Sequence, residues 1–299
     1  MTLPRYVDRG GEQAVRQPFE LREAVSRAFV LPADVASLSA VCDRYLHEPS
    51  DGRVRVRPLG PYVMLVFAKT AVACSAELPD RAKGWIPEID VAFWMPVINE
   101  QTKRLQWFLP YVFVDTSYAA AGGREIYGFP KSVATFQIPD DLTSPEALTV
   151  DTIVLHPQGS ETMARSQRII EVRRVGSAAS VLPGLAALAP LVKSTPVLQT
   201  AYDQVRAGAV SLPMLFLKQF RDAGDPSRAC YQAIVEAPAR MTHIAEAGWI
   251  RGAFEVEITA ADSHPIAREL GLADVITPIA QFFVRSDFLM EVGREVWRA

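Results

Sequence analysis

One lysine within a short motif is the residue of this chain best suited to covalent chemistry. The segment 123–133 is GREIYGFPKSV, so Lys131 directly follows a proline within an apolar stretch. A lysine amine attacks a carbonyl group only when it is neutral, and its ordinary pKa of about 10.4 keeps it charged near pH 7. Burial or a neighbouring cation lowers that pKa. We therefore predict that Lys131 is a nucleophile with a lowered pKa.

The competing interpretation is that Lys131 is a surface residue at a strand edge, where lysine discourages aggregation. The surrounding residues favour the nucleophile. The pattern Gly-Arg-Glu-Ile-x-x-Phe-Pro-Lys resembles the active-site motif of acetoacetate decarboxylases, whose lysine forms a Schiff base with a β-keto acid. Two later regions, 213–230 (PMLFLK and then DPSRAC) and 246–265, are similar to later strands of that family, in the same order and with the same spacing.

On these motifs the chain is identified as a member of the acetoacetate decarboxylase-like superfamily, with the likeness covering roughly residues 50 to 292. The resemblance implies a Schiff-base lyase without a cofactor. It also implies a large curved β-barrel or cone with peripheral helices, and a homo-oligomer.

The chain departs from the family pattern at two places in the site. Decarboxylases carry a second lysine after the first, and here that position is Ser132, whose hydroxyl brings no charge. Decarboxylases also carry two pocket acids, and the strand that corresponds to the first, 62–67, contains no carboxylate. For the second acid the candidates are Glu88 and Asp90. We prefer Glu88 because the segment 84–88, GWIPE, best resembles the family pattern.

The remaining site residues have alternative roles. Glu88 would transfer protons during iminium chemistry, or it would be a surface carboxylate in an ion pair. Arg124 would bind a substrate carboxylate or supply positive charge near Lys131, or it would pair with Glu125. Tyr127 would share the face of Lys131 if both lay on one extended strand, as a donor or as a packing aromatic.

Three further positions follow from the resemblance alone. Ser132 and Gln219 are predicted to contact substrate, the latter in a family-like segment without a derived role. A family arginine near the N-terminus corresponds either to Arg22 or to Arg27.

The hydrophobic pattern predicts an α+β fold that is mainly antiparallel β, in a single domain over residues 1–299 whose first 50 residues are partly helical. Asp34 after Pro32 predicts the start of a helix that continues through Tyr45. Short helices are expected over 181–208. Strands are predicted at 62–68, 89–98, 105–115, 133–138, 214–221, 229–236, 241–247, 252–260 and 280–285, with a helix at 264–271.

Composition excludes several function classes. A net charge of −3 with no basic patch argues against nucleic-acid binding. The four histidines are scattered and nucleotide-binding motifs are absent, so neither a metal nor a cofactor is expected. Three cysteines without metal-ligand spacing, no leader sequence and no apolar run of membrane-spanning length predict a cytoplasmic protein that contacts no membrane.

Three functions remain for the chain. We prefer an aldolase-dehydratase that condenses a 2-oxo acid such as pyruvate with an aldehyde. The alternative within the same chemistry is a decarboxylase of acetoacetate or another β-keto acid. The alternative of another class is a non-catalytic barrel that binds a small apolar carboxylic acid with Lys131 as its counter-ion.

Overall fold

β-Strands dominate the computed structural model, which describes residues 4–8, 10, 15–176 and 211–299. The described strands belong to one mixed sheet. They are β1 (Phe19–Pro32), β2 (Val56–Pro58), β3 (Tyr62–Ser75), β4 (Ile86–Asn99), β5 (Leu105–Val114), β6 (Lys131–Gln137), β7 (Ala147–Val154), β8 (Arg165–Gly176), β9 (Ser211–Arg221), β10 (Ala229–Trp249), β11 (Ala253–Ile258), β12 (Val275–Ile276), β13 (Ala280–Met290) and β14 (Arg294–Arg298).

Helices are few and short in the described part of the chain. They are α1 (Val35–Cys42), α2 (Ser117–Ile126) and α3 (Ile266–Leu270), together with a π-helical turn at Asp43–His47 and a 3-10 turn at Asp80–Lys83. None of the described helices is long and apolar enough to cross a membrane. This mainly antiparallel α+β composition is the one that the hydrophobic pattern predicts.

Seven of the strands pair in a closed circuit. Going around it, β1 pairs with β3, β3 with β4, β4 with β5, β5 with β9, β9 with β10, β10 with β13, and β13 with β1. All these pairings are antiparallel except β5 with β9. A branch of the sheet leaves the circuit through the parallel pairing of β5 with β6 and continues through β7, β8, β11 and β12.

Strand β4 shows how side-chain alternation separates the core from the site. Successive side chains of a strand point to opposite faces. Val91, Phe93 and Met95 are fully buried in the larger hydrophobic core, whereas Glu88 and Asp90 line a cavity on the opposite face. A smaller core, which includes Val112, Phe129 and Met214, packs on the cavity side. The alternation of β4 therefore places Glu88 and Asp90 at the cavity while the apolar residues of the same strand remain in the core.

Most predicted elements are confirmed, with shifted ends. The helix after Asp34 is present as α1 and the π-helical turn, and the Asp34 side chain caps it by accepting from the backbone N–H of Ser37 at 2.8 Å. Strands occur at each predicted position, but 229–236 and 241–247 form one strand, β10, in which bulges interrupt the alternation. The short helices predicted at 181–208 lie outside the described residues.

Strand β1 was missed because its sequence does not alternate regularly. Its register shifts between Leu21 and Ala24, and Glu23 there has φ of 55°, which is in the left-handed region. A bulge of this kind shifts the apolar residues from one face to the other. Strands β2, β7, β8, β12 and β14 also lie outside the predicted segments.

Candidate active site

Lys131 is the first residue of β6 and follows a tight junction from α2. The backbone N–H groups of Tyr127, Gly128 and Phe129 all donate to the carbonyl of Gly123, at 3.0–3.2 Å, and end the helix. Gly128 has φ of +87°, and a Cβ there would lie 2.6 Å from Cα of Lys218 on β9. Only glycine satisfies both conditions. The junction thereby sets the point at which Lys131 enters the sheet.

Gly123 gives the lysine side chain its space. A Cβ at this position would lie 2.8 Å from Cδ and 2.9 Å from Cε of Lys131, closer than side-chain atoms normally approach. The aliphatic part of Lys131 therefore packs directly on the backbone of α2, and its side chain is 8% exposed. The ammonium group lies 5.3 Å from the ring centroid of Phe129, within the range of a cation–π contact.

Two carboxylates of β4 face the amine. Lys131 Nζ donates to Glu88 Oε1 at 2.7 Å and lies 3.6 Å from Asp90 Oδ2. Opposite them on β3 lie Thr70 and Ala68, which carry no charge. The two acids that the sequence left as alternatives thus both reach Lys131, and Glu88 makes the shorter contact.

The electrostatics of this cluster correct the prediction for Lys131. Burial by itself lowers the pKa of Lys131, but the negative charges of Glu88 and Asp90 outweigh burial and raise it. The prediction of a lowered pKa is therefore wrong for the ligand-free protein, because it considered desolvation without the two facing carboxylates. Burial, reinforced by Glu88, raises the pKa of Asp90 to about 7, although Lys131 opposes this.

A cavity of about 540 Å³ opens on the amine. Lys131, Glu88 and Asp90 lie in its wall, which is otherwise largely apolar. The apolar lining includes Phe19, Trp94, Leu109, Leu212, Met214 and Met290. A volume of this size is typical of sites for small molecules.

The other predicted site residues lie elsewhere. Tyr127 lines the cavity with its ring, but it ends α2 rather than sharing a strand with Lys131, and its hydroxyl donates to the carbonyl of Glu291 at 2.8 Å. Ser132 is not among the residues that line the cavity. Neighbouring residues of a strand point to opposite faces, which directs Ser132 away from Lys131.

Arg124 and Gln219 line a second, smaller cavity of about 250 Å³, and the ring of Phe129 borders both cavities. Arg124 donates to the backbone carbonyl of Lys131 at 3.4 Å, and Gln219 accepts from Gln232 at 2.9 Å. Both side chains therefore lie at a different cavity from the one that the Lys131 amine faces.

Neither N-terminal arginine candidate lines the cavity of Lys131. Arg27 is 2% exposed and donates to the backbone carbonyl of Pro139 at 2.7 Å, on the face of β1 opposite to the cavity residues Ala24 and Ser26. Arg22 lies 3.9 Å from Glu20.

Sequence reasoning missed two contributors to the site. Gly123 was part of the motif without a role, and its close packing on Lys131 depends on the path of α2. Asp115, directly after β5, accepts from the backbone N–H of Ile89 at 3.0 Å, and burial raises its pKa. A carboxylate directly after an apolar strand was the available signal for Asp115. Among the described residues, no cluster of three or more His, Cys, Asp or Glu is arranged to hold a metal.

Comparison with known proteins identifies the fold. No family model matches the chain, and no curated protein sequence matches it significantly. Among solved structures, acetoacetate decarboxylase from Legionella pneumophila is 15% identical with a TM-score of 0.63, over 100% of this chain and 93% of that one. An acetoacetate decarboxylase-like enzyme from Sphingomonas wittichii RW1 is 12% identical with a TM-score of 0.55, over 95% of each chain.

A third structure is the enduracididine biosynthesis enzyme MppR, complexed with the condensation product of pyruvate and imidazole 4-carboxaldehyde. It is 12% identical with a TM-score of 0.54, over 95% of this chain and 90% of that one. At these identities the likeness establishes the fold. The chain has the fold of the acetoacetate decarboxylase-like enzymes, as the resemblance of its motifs predicted.

Proposed function

From this fold and the position of Lys131, we propose that the protein is a lyase that forms a Schiff base between Lys131 and a small oxo acid. The preferred reaction is condensation of a 2-oxo acid such as pyruvate with an aldehyde, followed by loss of water. The observation that carries the proposal is the buried Lys131 amine at the wall of a cavity, 2.7 Å from Glu88.

Two groups at the cavity support the proposed iminium chemistry. The amine attacks the carbonyl carbon, and the resulting iminium withdraws electrons from the adjacent carbon, so that a proton or a carboxylate can leave from it. Glu88 lies within hydrogen-bond distance of the amine and would accept its proton. Once Glu88 carries the proton, its charge no longer raises the pKa of Lys131, and burial then favours the neutral amine.

Two observations favour condensation over decarboxylation. The cavity of about 540 Å³ has room for a second substrate beside a three-carbon acid bound to Lys131. Ser132 also replaces the second lysine of the decarboxylase motif. The MppR complex, which contains a product of pyruvate and an aldehyde in the same fold, supports this choice.

The wider architecture belongs to the same proposal. We interpret the closed circuit of seven strands as the curved barrel that the family resemblance implies, with residues 1–299 as one domain. Homo-oligomerisation is proposed from the resemblance. Lys131, Glu88 and the ring of Tyr127 would contact the substrate, whereas Arg124, Ser132 and Gln219 would not.

Reductive trapping tests the nucleophile. Purified protein is mixed with pyruvate or acetoacetate and reduced with borohydride, and peptide mass spectrometry locates the adduct. We expect an adduct on Lys131 and none in Lys131→Ala. Lys218→Ala is the matched control because Lys218 is also partly buried with a lowered pKa, but it lies outside the cavity. An adduct that persists in Lys131→Ala would contradict the proposal.

Product analysis separates the reactions. With pyruvate and an aldehyde we expect absorbance of a conjugated enone, and with acetoacetate little release of carbon dioxide. Rapid carbon dioxide release without enone would favour the decarboxylase. If no oxo acid forms an adduct and an apolar carboxylic acid binds tightly in a manner that requires Lys131, the chain is a binding protein.

A further inference from the structure

The two carboxylates beside Lys131 are close enough to act together. Glu88 and Asp90 project from the same face of β4, and burial together with the negative charge of Glu88 raises the pKa of Asp90. Two neighbouring carboxyl groups in a buried site are more stable when one of them carries a proton. Their distances of 2.7 Å and 3.6 Å from the same Nζ atom place both within reach of a group that reacts there.

The balance of charge in the cavity favours one retained proton. Two ionised carboxylates against one ammonium would leave a net negative charge in a largely apolar wall, which is costly. The other charged or titratable side chains around this cavity, within the described part of the chain, do not neutralise it. Lys83 pairs with Asp80 at 3.0 Å and lies 3.7 Å from Asp8.

The remaining groups are neutral or acidic. Tyr127 donates to a backbone carbonyl, and Tyr118 and Cys74 line the cavity without positive charge. Asp115, behind β4, adds a further carboxyl group that interacts with Glu88. Lys131 is therefore the cation that faces Glu88 and Asp90. Its single positive charge compensates only one of two negative charges.

We infer that Glu88 and Asp90 form one acid–base unit that holds a single proton before substrate binds, Glu88 accepting the proton of the Lys131 ammonium and Asp90 delivering a proton to the carbonyl oxygen. The inference rests on the proposed Schiff-base function and extends it by assigning a role to Asp90.

Protons and charges balance over the formation of the iminium. Glu88 takes one proton from the ammonium, and the neutral amine forms a C–N bond to the carbonyl carbon while the C=O π electrons move to oxygen. That oxygen receives the proton of Asp90, and the new cationic nitrogen returns one to Asp90. Protonated Glu88 then protonates the hydroxyl, which leaves as water as the nitrogen lone pair forms the iminium. Glu88 ends ionised and Asp90 ends protonated, as they began.

The test compares Asp90→Asn, which keeps the shape but cannot donate this proton, with Asp90→Glu, which restores a carboxyl group. Glu100→Gln is the control, because Glu100 forms an exposed ion pair with Arg55 at 3.3 Å away from this cavity. The first measurement is the rate of borohydride-trappable adduct formation with pyruvate at acid, neutral and alkaline pH. The second is the titration of carboxyl groups in the ligand-free protein by infrared spectroscopy.

We expect the wild-type rate of adduct formation to decline as the pH rises past the pKa of Asp90, because Asp90 then loses the proton that it would donate. Asp90→Asn should lower the rate about 100-fold, a typical loss for removal of a general acid, and abolish that decline. Asp90→Glu should restore most of the rate and the pH dependence. A carboxyl group that titrates near neutral pH in the wild type should be absent from Asp90→Asn.

Two results would overturn the inference. One is an unchanged rate and pH profile in Asp90→Asn, even though pyruvate is trapped on Lys131; the Schiff-base function would then stand without this role. The other is the absence of a near-neutral carboxyl titration in the wild type. If the titration is present but pyruvate is never trapped, the proposed function fails while the proton-sharing pair is supported.

Discussion

At the scale of single residues, the reactivity of Lys131 depends on three kinds of contact. The backbone of α2 at Gly123 touches its aliphatic part, two carboxylates face its amine, and the ring of Phe129 lies below the ammonium. The amine is thus desolvated and held at a defined distance from a proton acceptor. Pre-organisation of this kind is what proton transfer at a catalytic site requires.

Gly123→Ala tests the importance of this packing. The added methyl group would lie 2.8 Å from Cδ of Lys131, so either the lysine or α2 must shift. We expect adduct formation with pyruvate to fall at least tenfold and stability to fall by about 1–3 kcal/mol, the usual cost of overpacking. Borohydride trapping and thermal unfolding measure the two effects.

Gly159→Ala is the matched control for that substitution. A Cβ at position 159 would meet only the hydroxyl of Thr162, at 3.6 Å, in an exposed turn. This variant should keep both its trapping rate and its melting temperature. If Gly123→Ala formed the trapped adduct at the wild-type rate, the site would tolerate displacement of the aliphatic part of Lys131.

At the scale of elements, the junction between α2 and β6 delivers the lysine to the site. The helix ends where three backbone N–H groups converge on the carbonyl of Gly123, and Pro130 cannot continue it. Because successive side chains of strand β4 point to opposite faces, Glu88 and Asp90 face the cavity while the core residues occupy the other face. The motif is therefore a helix terminus followed by the first residue of a strand, rather than one continuous strand.

Gly128→Ala should disrupt this junction. Its positive φ is unfavourable for alanine, and the new Cβ would lie 2.6 Å from the backbone of Lys218. We expect a loss of stability of more than about 1 kcal/mol from the backbone strain alone, with more from the clash against β9. Denaturant unfolding checks this, and a midpoint equal to the wild type would contradict the close approach of the junction to β9.

At the scale of the whole molecule, the strands of the closed circuit bound the cavity that Lys131 faces. The cavity is bounded by strands from distant parts of the sequence, including β1, β3, β4, β9, β10 and β13. Its apolar lining extends well beyond the polar cluster at Lys131. In the proposed reaction, an acid bound at the amine would have apolar space beside it for a second reactant.

Ala239→Leu probes that space. Ala239 is buried on β10 and lines the cavity, so a larger side chain there would reduce the volume. We expect trapping of pyruvate on Lys131 to stay within about threefold of the wild type, because its amine is unaltered. Condensation with a bulky aldehyde should slow by about tenfold or more, within the range that a misfitting apolar contact costs.

Ala247→Leu, on an exposed part of the same strand, is the control for strand stability. It should condense small and bulky aldehydes like the wild type. Equal condensation of bulky aldehydes by Ala239→Leu would mean that the second reactant does not occupy this side of the cavity.

The sequence by itself determined the nucleophile candidate, the strand-rich fold and the shared face of Glu88 and Asp90. These follow from local rules: the order of residues in a motif, the alternation of a strand and the cap at Asp34. Strand β1 escaped prediction because a bulge displaces its apolar residues between faces. Strand β10 was divided at 237–240, where Pro238 is a residue that strand interiors disfavour, although the pairing with β9 continues through it.

Only the tertiary structure decided the electrostatics and composition of the site. The pKa of Lys131 is raised because strands far apart in sequence place two carboxylates at its amine, a sum of charges that the motif alone does not contain. The same long-range pairing sends Arg124 and Gln219 to another cavity and leaves Arg27 on the opposite face of β1. Distances between residues separated in sequence depend on strand register and closure, and these set the chemistry available to Lys131.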